Sequence, residues 1–169
     1  MKLYFLRHGM AAEKSDSDYP DDSKRPLTPG GKREMRTIAR GMHHMKFRID
    51  RILSSPYLRA RQTAEIVSQE MKTPLKVEFS DHLIPGASFR ELLKELRVSG
   101  KEFSRVLLVG HEPFLRQSLS LILSGTANAF LPMKKGGVCK VSIDRWDEIP
   151  CATMKWFLTP KQLMALAPH

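Results

Sequence analysis

The sequence is poor in cysteine. Cys139 and Cys151 are the only two among 169 residues, and they have neither metal-ligand nor redox spacing, which excludes a thiolate metal centre or a dithiol redox site. Both read as small buried side chains in a reducing compartment, so the expected location is the cytoplasm. Long apolar runs are missing too. No window approaches the roughly 20 apolar residues needed to cross a bilayer, and Leu3-Tyr4-Phe5-Leu6 stops at Arg7, too short for the core of a secretory signal. Neither membrane insertion nor export is expected. Acidic residues are scarce beside basic ones, 18 Asp plus Glu against 28 Lys plus Arg, for a formal charge of +10 and a pI near 9.9. Such a surface attracts anions, but the field is indifferent to whether nucleic acid, acidic protein or a phosphorylated small molecule carries the charge. Repeats, low-complexity tracts and linkers are also absent, so residues 1–169 are expected to form one domain, with an ordinary core from the 41% apolar content.

What the chain does contain is an alternation of strand and helix patterns. Lys2 to Leu6 reads as a first strand, and the polar stretch from Glu13 to Pro26, without an apolar period, as a loop. Thr28-Pro29-Gly30-Gly31 is a helix start with proline at the first helical position. Met35, Ile38, Ala39, Met42 and Met45 then describe one helical face, which accounts for these methionines as packing. Ile49 to Leu53 is a second strand, ending at Ser54-Ser55-Pro56 and feeding a helix marked by Leu58, Ala60, Ala64, Val67 and Met71. Leu75 to Phe79 alternates like a half-buried strand, and Ser88 with Glu91 forms a capping-box signature ahead of Leu92, Leu93 and Leu96. The apolar run within Arg105 to Gly110 is expected of a buried central strand. It leads through Pro113 to Leu115, Leu119, Ile122 and Leu123, with Gly125 just past the helix end. Val138 to Ile143 and Thr153 to Leu158, separated by a short turn from Asp144 to Pro150, are expected to pair antiparallel. The implied fold class is α/β, with a mixed, mostly parallel sheet and helices on both faces.

In such folds ligands bind beyond the carboxyl ends of the strands. Three segments fall there: Arg7-His8-Gly9, Ser54 to Arg59, and Gly110-His111-Glu112. Gly9 is read as the residue that lets the backbone turn sharply and approach a ligand. Arg59 and Arg61 fall in the opening turn of a helix, where free N–H groups and the dipole favour an anion, and guanidinium suits bidentate phosphate contacts. A pocket with two imidazoles, His8 and His111, and at least two guanidiniums has one obvious chemistry. An imidazole attacks phosphorus in line while fixed positive charge neutralises the equatorial oxygens of the transition state. The acidic residues are dispersed, and the adjacent His43 and His44 diverge on a helix, so neither a metal nor another cofactor is expected.

The ordered set of short stretches is more specific than any one of them. It comprises Leu6-Arg7-His8-Gly9, Arg25-Pro26-Leu27-Thr28 with the glycines that follow, Ser54-Ser55-Pro56-Tyr57-Leu58-Arg59-Ala60-Arg61-Gln62-Thr63, Val109-Gly110-His111-Glu112-Pro113, and Leu158-Thr159-Pro160. In these the sequence resembles the histidine phosphatase superfamily, whose hallmark is an Arg-His-Gly at the end of the first strand, and more narrowly its small SixA-type phosphohistidine phosphatases. By position, the resemblance implies His8 as the nucleophile and Arg7, Arg59 and His111 as the phosphate-binding set, His111 alternatively protonating or stabilising the transferring group. It also implies the superfamily's phosphoglycerate-mutase-like three-layer α/β/α sandwich.

Larger superfamily members carry a glutamate or aspartate general acid on an additional segment, and no equivalent stands between Asp81 and Gly100. Glu112 occupies the place where the acid-phosphatase branch has an aspartate and is retained as a candidate general acid; Glu91 is assigned to capping. An alkoxide needs a positioned proton donor to leave, whereas the imidazole of a phosphohistidine departs readily from its labile P–N bond. The missing acid therefore favours a histidine-phosphorylated protein as substrate, such as the phosphotransfer domain of a signalling relay. A short chain with little left for a lid points the same way. The alternatives are a small phosphorylated metabolite, a basic nucleic-acid-binding protein, or a phosphoprotein-binding module without turnover. The second lacks aromatic-basic interleaving and a recognition helix, and the intact His8 argues against the third. Arg61 reads as a solvated helix residue, the Lys134-Lys135 pair as either an edge of the pocket that meets an acidic partner or, more commonly for lysines before a turn, soluble surface, and His43, His44, His82 and His169 as surface or structural.

Overall fold

The structure, a computed structural model, describes residues 1–15, 17–71, 75–99, 102–128 and 132–168; His169 and Gly100 lie outside them. Six strands form one sheet in the order β3-β2-β4-β1-β5-β6. They are β1 (Lys2–Arg7), β2 (Arg51–Ser54), β3 (Val77–Phe79), β4 (Arg105–Gly110), β5 (Val138–Arg145) and β6 (Cys151–Leu158). β1, β2, β3 and β4 pair in parallel, while β5 runs antiparallel to β1 and β6 antiparallel to β5. The sheet is mixed, as the sequence pattern implies.

Residues alternate across a strand, so a strand apolar throughout has two faces to cover. Tyr4, Leu6, Ile52, Leu107 and Val109 face one core. It also holds Met35, Ile38 and Met42 of α1 (Pro29–His44), Ala64 and Val67 of α2 (Leu58–Glu70) and Leu163 of α5 (Pro160–Ala165). Leu3, Phe5, Leu53, Val106 and Leu108 face the other, with Leu92 and Leu96 of α3 (Phe89–Ser99) and Leu115 and Leu119 of α4 (Phe114–Ser124). The result is a three-layer α/β/α sandwich. Each fully buried leucine or isoleucine contributes about 2 kcal/mol relative to exposure.

Several local readings are corrected. Met45 follows α1 as its C-cap and is exposed, because the helical stripe ends with the last turn. Cys151 opens edge strand β6 and is exposed, whereas Cys139 is buried between β1 and β6. β3 begins at Val77 rather than Leu75. The Glu91 carboxylate is taken by Lys94 Nζ at 2.7 Å. Three elements carry no periodic signal: 3-10 turns at Asp22–Lys24 and Asp81–Leu83, and α5, which is capped by Thr159 and Gln162. Among the described residues no helix is long and apolar enough to cross a membrane.

Candidate active site

Parallel pairing aligns the strand ends that carry the site. Arg7 on β1 lies opposite Gly110 on β4, and Ser54 on β2 opposite Val109. The next residues, His8, Ser55 and His111, therefore leave the sheet side by side. Backbone bonds from His8 N to Gly110 O (3.1 Å) and from Ser55 N to Val109 O (2.9 Å) extend the ladder one step further. The His8 and His111 rings lie 5.0 Å apart. Arg59, in the first turn of α2, is 3% exposed and points its guanidinium into the same cleft.

The His8 ring is held in one orientation. Its Nδ1 donates to the Gly9 carbonyl at 2.7 Å, so the proton sits on Nδ1 and the lone pair on Nε2, which accepts a 3.3 Å bond from Arg59 Nε. Burial draws this imidazole from its ordinary 6.5 down to about 3; the Gly9 bond opposes the shift, and the charges of Arg59, Arg7 and Lys135 add to it. Burial likewise draws His111 down to about 2, helped by His8 and Arg59. Its Nε2 is hydrogen-bonded to Ser55 Oγ at 2.9 Å. Both rings are neutral at physiological pH. Arg7 donates from Nη1 to Met133 O at 2.7 Å, while Arg7 Nε and His111 Nδ1 are buried without a hydrogen-bond partner among the described residues.

Gly9 is present for a reason other than its turning freedom. Its φ is not positive, and a Cβ there would stand 2.5 Å from Met35 Cγ, so close packing of α1 demands glycine. The Gly9 N–H donates to Thr63 Oγ1 at 3.1 Å, and that hydroxyl donates to Arg59 O at 2.7 Å, tying the His8 loop to α2.

Asp22, which the sequence did not single out, holds the arginines. Arg59 Nη1 donates to Asp22 O (2.6 Å) and Nη2 to its Oδ2 (2.7 Å), while Oδ1 accepts from Arg25 Nε (2.7 Å). Burial would raise this carboxyl, but the two guanidiniums outweigh it and hold it below the usual carboxylate range. Arg25 also donates to Ala12 O at 2.7 Å, and Gln62 Oε1 accepts from Leu27 N at 2.7 Å. The Arg25-Pro26-Leu27 stretch thus ties the loop before α1 to α2 and to the segment after His8.

The remaining sequence candidates have other partners. Arg61 pairs with Glu65 at 2.8 Å and stacks over Phe79. Glu112 is half-buried, its carboxyl raised chiefly by burial against the pull of Arg7 and Arg116. It lines a cavity of about 330 Å³ with Arg7, Pro113, Arg116, Pro132 and Met133, a set that contains neither imidazole. His43 and His44 line a separate cleft with Lys46, Phe47, Arg48 and Met71. Among the described residues no group of three or more His, Cys, Asp or Glu side chains is placed to hold a metal.

A three-layer sandwich whose strand ends present an oriented neutral imidazole among arginines defines a phosphoryl-transfer protein of the phosphoglycerate-mutase-like class. Comparison with known proteins narrows this. The profile of the histidine phosphatase superfamily (branch 1) matches residues 3–84. An uncharacterized protein of Picosynechococcus sp. is 37% identical over 139 residues, 82% of each chain. Phosphohistidine phosphatase SixA of Escherichia coli is 29% identical over 164 residues, 96% of each. A solved structure of the protein histidine phosphatase SixA complexed with tungstate superposes with a TM-score of 0.81 at 29% identity, covering 96% of this chain and 99% of that one. The chain belongs to the histidine phosphatase superfamily, in its SixA-type group, and is a phosphatase acting on a phosphorylated substrate.

Proposed function

We propose that this phosphatase works through a phosphohistidine intermediate on His8, without a metal, and that its substrate is phosphohistidine on a protein, such as the phosphotransfer domain of a phosphorelay. The observation that carries the reading is the His8 ring itself, neutral, oriented by Gly9 O and presenting the Nε2 lone pair to the arginine cleft. Nε2 forms a bond to phosphorus as the bond to the substrate imidazole nitrogen breaks, its electron pair staying on that nitrogen. Arg7, Arg59 and His111 hold the phosphoryl oxygens, and their fixed charge and N–H groups take the role a metal would otherwise fill. Because Nδ1 keeps its proton, phosphorylated His8 is a cation stabilised by the Gly9 carbonyl and is a good leaving group. Water then bonds to phosphorus, the electron pair returns to Nε2, and inorganic phosphate carries away the water's protons.

The choice of leaving group rests on the carboxylates around the site. Asp22 is engaged by Arg59 and Arg25, while Glu112, whose Oε2 lies 3.6 Å from Arg116 and whose Oε1 is buried without a partner among the described residues, shares a cavity with Arg7 but with neither imidazole. A substrate imidazole takes its proton from solvent on its other nitrogen and departs neutral, so it requires neither. The free Cys139 and Cys151 suit a cytoplasmic setting. The test measures phosphate release from a histidine-phosphorylated protein, an aryl phosphate and a sugar phosphate, with and without chelator. The expected result is a kcat/KM at least about tenfold higher for the phosphoprotein and unchanged by chelation. A preference for the sugar phosphate would replace the substrate and leave the His8 chemistry standing.

A further inference from the structure

Lys134 and Lys135 are neighbours in sequence but part company in the structure. The turn that carries them is fastened to Arg7 on both sides: Arg7 Nη1 donates to Met133 O (2.7 Å), Gly136 N to Arg7 O (3.0 Å) and Arg7 N to Gly137 O (3.2 Å). Gly136 adopts φ +78, and a Cβ there would stand 2.6 Å from Ile38 Cδ1, so the turn has little freedom to move. Lys134 is exposed, whereas Lys135 is half-buried. The Lys135 side chain reaches from this turn to the loop after His8, where Nζ lies 3.3 Å from Sδ of Met10. The lysine thus joins the Arg7 turn to the His8 loop, close enough for its charge to act on the His8 ring.

Among the described residues sulfur is the only hydrogen-bonding contact of Nζ, and no carboxylate stands within ion-pair distance. Burial, then Arg7, Arg25 and Arg59, lower its ammonium, with Glu13 opposing. Like charges held together are unfavourable until an anion enters among them. A phosphoryl group seated on Arg7 and Arg59 would leave its outer oxygens facing this ammonium.

We propose that Lys135 is a further phosphate-binding residue, closing the cleft from the solvent side onto the phosphoryl group held by Arg7 and Arg59. The inference rests on the phosphatase reading for its substrate but not for its ligand chemistry, which is that of any tetrahedral oxyanion. A lysine placed to bind an oxyanion donates a charge-assisted hydrogen bond, typically worth about tenfold in affinity.

Tungstate titrated calorimetrically into the full-length chain tests this without requiring turnover. Lys135→Ala is expected to weaken tungstate binding about tenfold and Lys134→Ala less than twofold, while Lys135→Arg retains most of the affinity. Without anion, Lys135→Ala should melt no lower than the parent, since it relieves repulsion, so a loss of affinity is not a loss of fold. Equal tungstate affinity in Lys135→Ala and the parent would overturn the proposal. So would unchanged tungstate affinity with a raised KM for the phosphoprotein alone, which would assign Lys135 to an acidic side chain of the partner. If tungstate binding falls as expected but the parent hydrolyses no phosphohistidine, the Lys135 assignment stands and the substrate reading falls.

Discussion

His8 and His111 lie where protonation is penalised twice, by burial and by neighbouring positive charge. A nucleophilic imidazole needs its lone pair, and burial keeps the His8 ring unprotonated well below neutral pH. The same placement has a thermodynamic consequence. The unfolded chain protonates both rings near the ordinary 6.5, while the folded chain holds them near 3 and 2. Below pH 6.5 the unfolded state binds more protons, so stability rises with pH in that range and is lost as pH falls. Between pH 6 and pH 5 the two rings together contribute a loss on the order of 2 kcal/mol. Denaturant unfolding at pH 7, 6 and 5 should show that loss, and His8→Ala should show roughly half of it. Identical pH dependence in parent and variant would mean that His8 is not held neutral. That His8, Arg7, Arg59 and His111 come together was legible in the sequence because each ends or directly follows a strand or opens a helix. Asp22 was not, since it lies 37 residues from the arginine it holds, in a stretch with no period. Lys134 and Lys135 were read together as soluble surface, because the turn's bonds to Arg7, which separate the two, leave no mark in composition.

At the scale of elements, the first turn of α1 is pressed against the loop that follows His8. A Cβ on Gly31 would stand 2.2 Å from the Met10 carbonyl oxygen, which also accepts from Thr28 N at 2.9 Å, whereas a Cβ on Gly30 meets nothing closer than 3.9 Å. Gly31→Ala is therefore expected to cost about 1–3 kcal/mol in stability and to lower kcat/KM by displacing the His8–Met10 loop. Gly30→Ala should leave both nearly unchanged. Melting temperature and kcat/KM of the two variants check this, and equal behaviour would contradict the packing of α1 on that loop. In the sequence the two glycines are indistinguishable; only the packed structure separates them. The long helices and the central strand β4 were legible because apolar periodicity reports burial directly. The six-residue α5 and the two 3-10 turns were not, being too short for a period and formed by capping and by contacts with other elements.

For the whole molecule, the parallel register of β1, β4 and β2 does the assembling. Three strand ends distant in sequence become adjacent, and each delivers one part of the candidate site. The net charge of +10 gives the molecule a field that favours anionic partners, an effect that should weaken with ionic strength. The central claim is that His8 carries the phosphoryl group. The direct measurement is to mix the protein with a histidine-phosphorylated protein, quench in alkali, where phosphohistidine survives, and locate the transferred group by peptide mass spectrometry. The account predicts phosphate on the peptide containing His8 in the parent, and neither phosphoenzyme nor phosphate release in His8→Ala. Release by His8→Ala at the parent's rate, or a phosphoryl group trapped on any other residue, would contradict it.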